Sequence, residues 1–450
     1  MAELKINEKN TLFRMSPMLY GVFFEDINYG GDGGLYGEMI ANRSFEFYDR
    51  IGEKDKHKMC WESTGGGDFL VTDKYPFNSV QQHCAVINGG IRNTGFCGEG
   101  FSVKDGESLD FMFYAASDSC GEVGIRISDS VGKCIAAGSV EVNSSEWKKY
   151  ELKLKASDSE KHAFLEIIPS DGMEMRIAFT SLFSEDTYKG RKNGMRKDLA
   201  EMVAALKPAF MRFPGGCIVE GRSFENMYCW KDTVGSIEER RTNWNRWQME
   251  EYQQNGRNSE DYFQSYGIGF YEYFQFCEDI GAKPIPVINC GMTCQWHEGL
   301  LVDTNKLDRW IKDAEDLIEF ANGGADTKWG RVRAEMGHKE PFGLEYIGIG
   351  NEQWGSEYFE RYELFYERLS KTHPEIKLIT SAGWTDCGKE FDLAMDWMRA
   401  NRNKAYAVDE HFYKTPEWFL DNISRYDSYD RTLPKVFIGE YAAHTSPDVP

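Results

Sequence analysis

The run LEYIGIGNEQWGSEYFERYELFYERLSKTHPEIKLITSAGW (344–384) decides how this chain folds. It opens on a short apolar stretch bounded by Gly and Asn, which reads as a buried strand rather than a helix. The following SEYFERYELFYERLSKTH carries its apolar residues on one side of a helix. IKLITSAGW then supplies a second continuous apolar strand. Strand, amphipathic helix, strand is the unit of a parallel sheet covered on both faces.

Working outward, the same alternation holds from about residue 186 to the end. The strand-like runs are PAFMRFPGG, AKPIPVINC, LEYIGIGNE, IKLITSAGW, AYAVDEHFY and KVFIGEYAA, with LDRWIKDAEDLIEFAN as another clear helix between them. MLYGVFFE (18–25) adds a seventh strand. Each run ends in polar or charged residues: Glu25, Arg212, Asn289, Asn351 with Glu352, Trp384, His411 and Glu440. A (β/α)₈ barrel builds its site at that carboxyl edge from every strand, whereas a doubly wound sheet uses only its switch point. The predicted class is therefore α/β, a (β/α)₈ TIM barrel with seven strands visible and the eighth absent. No GxGxxG or GxxxxGK[ST] run marks a nucleotide site.

Residues 59–184 have a different texture. Short alternating segments such as SLDFMFYAA, EVGIRISD and KKYELKLKA, separated by Gly, Asp and Ser turns, predict an inserted all-β jelly-roll sandwich. The expected organisation is an N-terminal sandwich strand at 1–17, the first barrel strand and its loop at 18–58, the jelly roll at 59–184, and the catalytic barrel at 185–450.

Composition narrows the partners. Across 450 residues, 73 acidic and 52 basic side chains give a net charge of −21. That field repels nucleic acid and anionic membrane surfaces, and no basic, aromatic-interleaved stripe offsets it. A neutral sugar is not disfavoured, and an aromatic content of 14% suits a surface that stacks on sugar rings, although most aromatics fill cores. Eleven cysteines fall without CxxC pairs or His/Cys zinc spacing, the polar start MAELKINEKN resembles no signal peptide, and no 18-residue apolar run occurs. A cytoplasmic, reducing location is the expectation. Neither a metal nor an organic cofactor is implied.

Two carboxyls carry the chemistry. Glu352 in GIGNEQWG and Glu440 in VFIGEYAAH each follow an apolar strand directly. Retaining hydrolysis of a glycosidic bond needs one carboxylic acid for the leaving oxygen and one carboxylate to attack the anomeric carbon, roughly 5–5.5 Å apart. Two strand ends on one barrel rim can supply that spacing. Either residue alone reads equally well as a salt-bridge or helix-end carboxylate.

The chain resembles the family 51 glycoside hydrolases, the α-L-arabinofuranosidases of the large clan of retaining (β/α)₈ enzymes. The resemblance runs through GVFFEDINYGGDGGLYGEMIANRSFE (21–46), LKPAFMRFPGGCIVEG (206–221), GIGNEQWG (348–355), DEHFY (409–413) and FIGEYAAH (437–444), in order, from about residue 18 to 450. It implies Glu352 as general acid/base and Glu440 as nucleophile. It also implies Asn351 on the sugar 2-hydroxyl, Glu25 on the furanose hydroxyls, and Arg212 beneath the site holding a catalytic carboxylate charged. His411 and Tyr413 would flank Glu440, with Tyr413 donating to it. Cys217 takes a place where some relatives carry a sugar-binding Asn. Trp296 and Trp354, in strand-end loops, are the candidate sugar platform, and Gly215 and Gly216 a tight turn. The 59–184 module resembles family 4-like carbohydrate-binding jelly rolls.

The implied reaction removes terminal non-reducing α-L-arabinofuranosyl units, with retention, from arabinose-containing oligo- or polysaccharides. Family members often form homo-oligomers. Relatives continue past this chain with an eighth strand and a C-terminal sandwich, so the expectation is an incomplete barrel. Two other readings stay open at this stage: an endoglucanase or xylosidase-like enzyme on the same fold, and a non-catalytic glycan-binding protein.

Overall fold

The structure is a computed structural model that describes residues 15–48, 56–65, 68–247 and 263–445. Seven parallel strands form one sheet in chain order: β1 (Val22–Phe23), β2 (Phe210–Phe213), β3 (Lys283–Ile288), β4 (Tyr346–Ile349), β5 (Lys377–Ser381), β6 (Ala407–Lys414) and β7 (Lys435–Ala443). This is the predicted α/β barrel, nearly closed. Most of the sequence-read runs contain their strand at nearly full length. The exception is 18–25, of which only two residues pair, because β2 is the sole strand beside them.

Local chemistry sets the register. Pro284 and Pro286 in β3 have no N–H to give, and pairing of β3 with β4 is confined to Val287 with Gly348 and Ile288 with Ile349. The helices that cover the sheet are α1 (Lys197–Ala205), α2 (Cys217–Glu220), α3 (Phe270–Ile280), α4 (Asp308–Asn322), α5 (Lys328–Glu335), α6 (Ser356–Thr372), α7 (Lys389–Ala400) and α8 (Pro416–Asp421). Helix α6 buries Tyr358, Phe359, Tyr362, Phe365 and Leu369 on one face, each such side chain contributing about 1.5–3 kcal/mol on transfer from water. Its Tyr358 hydroxyl donates to Ile349 O at 2.7 Å and accepts from Ser381 N at 2.8 Å. The helix thereby pins the ends of β4 and β5 where the chain turns into the candidate site.

Among the described residues no strand joins β1 to β7. Between them runs an apolar cleft of about 950 Å³, lined by Leu19, Phe210, Ile285, Tyr346, Tyr406 and Phe437 among others. The sandwich strand expected at 1–17 lies outside the described residues, apart from its last three.

Between β1 and β2 the chain builds two antiparallel sheets. One runs Lys148–Lys155, Ser108–Ala116, Met175–Ser184, Cys84–Ile87, Leu70–Thr72; the other runs Trp61–Thr64, Gly90–Asn93, Glu160–Pro169, Gly121–Ser128, Cys134–Val142. Their facing sides share one apolar core that includes Phe111, Phe113, Ile125, Leu165 and Ile177. The sandwich is tied to the barrel loops by polar bonds: Gln81 Nε2 to Arg240 O at 2.6 Å, Asn78 Nδ2 to Glu238 O at 2.8 Å, and the Tyr114 hydroxyl to Glu238 Oε1 at 2.9 Å. Among the described residues no helix is long and apolar enough to cross a membrane.

Candidate active site

The carboxyl ends of the strands converge on four acidic side chains and two cations. Glu440, inside β7, is buried, and Arg212 Nη1 from β2 donates to its Oε1 at 2.9 Å while the Tyr413 hydroxyl from β6 donates to its Oε2 at 2.8 Å. Arg212 is buried too, and its Nη2 donates to Asn351 Oδ1 at 2.7 Å. One guanidinium thus fixes both Glu440 and the residue before Glu352, a two-armed geometry a lysine could not reproduce.

Glu352 follows β4 in a left-handed conformation, φ 50°, which a non-glycine residue adopts only when its surroundings enforce it. His411 Nδ1 lies 2.9 Å from Glu352 Oε1, and Cys217 Sγ lies 3.6 Å from Oε2. One carboxylate oxygen of Glu352 and one of Glu440 lie within 4.8 Å of each other, with His411 between them. The imidazole also sits 3.1 Å from Asp409 Oδ2 through Nε2. Burial by itself works against a charged imidazole, but Glu440 and Asp409 outweigh it and raise His411 to about 10. Both ring nitrogens are then donors, one toward Asp409 and one toward Glu352. Asp409 is held below its usual range against the cost of its own burial by His411 and Arg212, and it accepts Gly439 N at 2.7 Å.

Glu25 follows β1 and reaches the same pocket. Its Oε1 accepts from Ile218 N at 3.0 Å and from Trp247 Nε1 at 2.9 Å. Burial, and then the charge of Glu440, push its carboxyl up to about 7. The backbone passes directly beneath this group. A Cβ at Gly216 would lie 2.5 Å from Glu440 Oε1 and 3.2 Å from Glu25 Oε2, so the GG pair gives close approach to two carboxylates as well as a turn.

Three indoles stand at the rim. Trp296 packs 5.5 Å from Trp354 and 4.8 Å from Trp384 between ring centroids, and Trp296 is 58% exposed. Together they make an apolar wall, open to water at Trp296, on the loops after β3, β4 and β5.

Of the residues picked from sequence, Glu25, Arg212, Cys217, Asn351, Glu352, His411, Tyr413 and Glu440 are brought into one cluster, and Trp296 and Trp354 to its edge. Asn289 is not part of it: its amide donates to Val219 O at 3.1 Å and Met292 O at 3.0 Å, holding loops together. Reading by residue missed Asp409, Trp247 and Glu220 and did not weigh Trp384 as platform. Asp409 opens the DEHFY motif and was the most visible of these. Glu220 lies in the quoted 206–221 motif and was visible in the same way, whereas Trp247 lies in none of the quoted motifs and its partner Glu25 is far away in the chain. Glu220 faces Asn351 Nδ2 at 3.4 Å.

The profile of the alpha-L-arabinofuranosidase 1 domain matches residues 202–431. The extracellular exo-α-L-arabinofuranosidase of Streptomyces chartreusis is 40% identical over 94% of this chain and 51% of its own length. α-L-Arabinofuranosidase 1 of Arabidopsis thaliana is 32% identical over 98% of this chain and 63% of its own. Among solved structures, an arabinose-bound MgGH51 α-L-arabinofuranosidase superposes with a TM-score of 0.84 at 28% identity, covering 97% of this chain and 68% of that one. The chain therefore spans half to two thirds of the length of these curated relatives.

Proposed function

Because this chain belongs to the α-L-arabinofuranosidases of glycoside hydrolase family 51, we propose that it removes terminal non-reducing α-L-arabinofuranosyl residues by a retaining double displacement. The observation that carries this reading is the separation of the two carboxyls. An oxygen of each lies within 4.8 Å of the other, which suits the roughly 5–5.5 Å between carboxyl groups of retaining enzymes better than the roughly 6.5–9.5 Å that an inverting enzyme keeps for its water.

In the first step a Glu440 oxygen attacks the anomeric carbon as its bond to the leaving oxygen breaks, and Glu352 gives that oxygen its proton. In the second, Glu352 takes a proton from water, the water oxygen bonds to the anomeric carbon, and Glu440 departs as a carboxylate. Arg212 and the Tyr413 hydroxyl hold Glu440 in orientation, one donor to each oxygen. His411, charged and anchored by Asp409, donates to Glu352 and fixes its orientation. Asn351, locked by Arg212, presents its amide toward the sugar 2-hydroxyl, and Glu25 takes the remaining furanose hydroxyls. Trp296, Trp354 and Trp384 form the wall for the leaving saccharide, and Cys217 lines the floor.

The substrates on this reading are arabinose-containing oligo- or polysaccharides of the arabinan and arabinoxylan kind. Residues 59–184 serve as a carbohydrate-binding-like module fixed to the catalytic unit at 185–450. A cytoplasmic setting is part of this reading, and assembly into a homo-oligomer is measurable by light scattering.

The test is turnover of 4-nitrophenyl α-L-arabinofuranoside, followed by NMR of the first anomer released. Glu440→Ala abolishes activity, and azide restores it with an inverted glycosyl azide. An inverted sugar from the unmodified protein, or preferential turnover of the β-D-xyloside or β-D-glucoside, sinks the assignment.

A further inference from the structure

Beside the carboxyl cluster, and sharing Cys217 with it, lies a second group of donors. Cys217 and Glu220 stand at the first and fourth residues of α2, so they project from the same side of that turn. Cys294 reaches them from the loop after β3. Two bonds hold the loop there: Cys294 N to Gly221 O at 3.0 Å, and Asn289 Nδ2 to Val219 O at 3.1 Å. All three side chains are buried, and one donor atom from each lies within 4.8 Å of the other two.

The geometry points to a soft divalent cation site, of the zinc or cadmium class, formed by Cys217 Sγ, Cys294 Sγ and the Glu220 carboxylate. Donors within 4.8 Å of one another can close on a common centre at about 2.3 Å from each sulfur and about 2.0–2.2 Å from the oxygen, with the fourth tetrahedral position left to water. A hard cation is disfavoured, because two of three donors are thiols. The immediate charges close as well. Two thiolates, one carboxylate and the nearby Arg246, whose Nη2 is 3.9 Å from Cys294 Sγ, sum with a dication to zero. His297 Nδ1 lies 3.4 Å from the same sulfur and accepts from Arg246 Nη2 at 2.9 Å, which fixes the ring beside Cys294. Binding takes all three donors in their deprotonated form, and any proton that one of them carries beforehand is released to water.

The consequence for turnover rests on the proposed function. A metal on Cys217 withdraws the thiol that lies 3.6 Å from Glu352 Oε2, and a metal on Glu220 draws that carboxylate from Asn351. Occupancy is therefore inhibitory, and the site acts as a metal-sensitive brake beside the acid/base.

The test is anaerobic titration of the reduced 450-residue chain with Co²⁺. Expected are one tightly bound ion per chain, the visible spectrum of tetrahedral cobalt, and a thiolate-to-cobalt charge-transfer band that Zn²⁺ displaces. Cys294→Ser removes the band and weakens binding at least tenfold, whereas Cys134→Ser, on an exposed strand of the sandwich, leaves both unchanged. A folded wild-type chain without the band, or one whose band survives in Cys294→Ser, overturns the site. If Cys294→Ser does not fold, Glu220→Gln replaces it, and unchanged cobalt affinity there overturns it equally. These readouts need no turnover, so an inactive chain would refute the hydrolase reading and leave the metal result standing. With an active chain, Zn²⁺ inhibits the wild type at least tenfold more strongly than Cys294→Ser, and equal sensitivity refutes the brake.

Discussion

Replacing Gly216 with alanine adds one methyl group where the chain passes under Glu440. The new Cβ would lie 2.5 Å from Glu440 Oε1. Carbon and oxygen in contact keep about 3.3 Å, so that oxygen must retreat by roughly 0.8 Å. It cannot do so freely, because Arg212 Nη1 holds the same atom at 2.9 Å and Tyr413 holds the other oxygen at 2.8 Å. Either the carboxylate shifts and loses its aim at the anomeric carbon, or the backbone shifts and carries Glu25 with it. A displacement near 1 Å costs about 10²-fold in rate, or about 2.7 kcal/mol of barrier. The overpacking itself destabilises the fold by about 1–3 kcal/mol. The expected result is kcat down about 100-fold on an aryl arabinofuranoside, with a smaller change in KM and a cooperative melt. Gly89→Ala, whose Cβ meets nothing within 4 Å, is the control and stays near wild type. A folded Gly216→Ala enzyme with kcat within threefold of wild type would refute the claim that Gly216 sets the position of Glu440.

Three further outcomes follow from the same geometry. Asp409→Asn removes one of the two charges that keep His411 protonated, so kcat falls about tenfold or more and the alkaline limb of the pH profile moves to lower pH; an unshifted limb argues against the pairing. Glu25 and Asp26, buried and raised to about 7 from ordinary values of 4.5 and 3.8, hold their protons more tightly folded than unfolded. Their stabilisation is full below about pH 4 and lost as pH rises through 7, and that of His411, raised from 6.5 to about 10, is lost between those values. Melting temperature should therefore fall steadily from pH 5 to pH 9, and a flat or rising curve contradicts it. Tyr358→Phe strips Ile349 O and Ser381 N of a shared buried partner and costs about 1–3 kcal/mol in denaturant unfolding; a loss under 0.3 kcal/mol would show that the hydroxyl does not pin the two strands.

Much of the architecture was legible along the chain because its causes are local. The apolar runs LEYIGIG and IKLITS, and the one-sided helix between them, give strand, helix and parallel order without reference to distant residues. The turn-rich alternation at 59–184 likewise sufficed to anticipate antiparallel sheets. Glu352 stood out because it follows such a run, and Glu440 because it comes directly after KVFIG, although β7 continues past it to Ala443. The length of the first strand did not, because β1 pairs on one side only and its extent depends on β2.

What tertiary structure alone decided are the relations across sequence. That Arg212 joins Glu440 to Asn351, that Asp409 charges His411, and that Asn289 braces loops rather than lining the pocket are matters of distance between elements far apart in the chain. The same holds for Trp247 on Glu25 and for the meeting of Cys217, Glu220 and Cys294. Sequence period determines which face of an element is buried. Hydrogen bonds and charge interactions act over a few ångströms, so only the packed barrel fixes which polar groups share a face and how each sets the ionisation of the next.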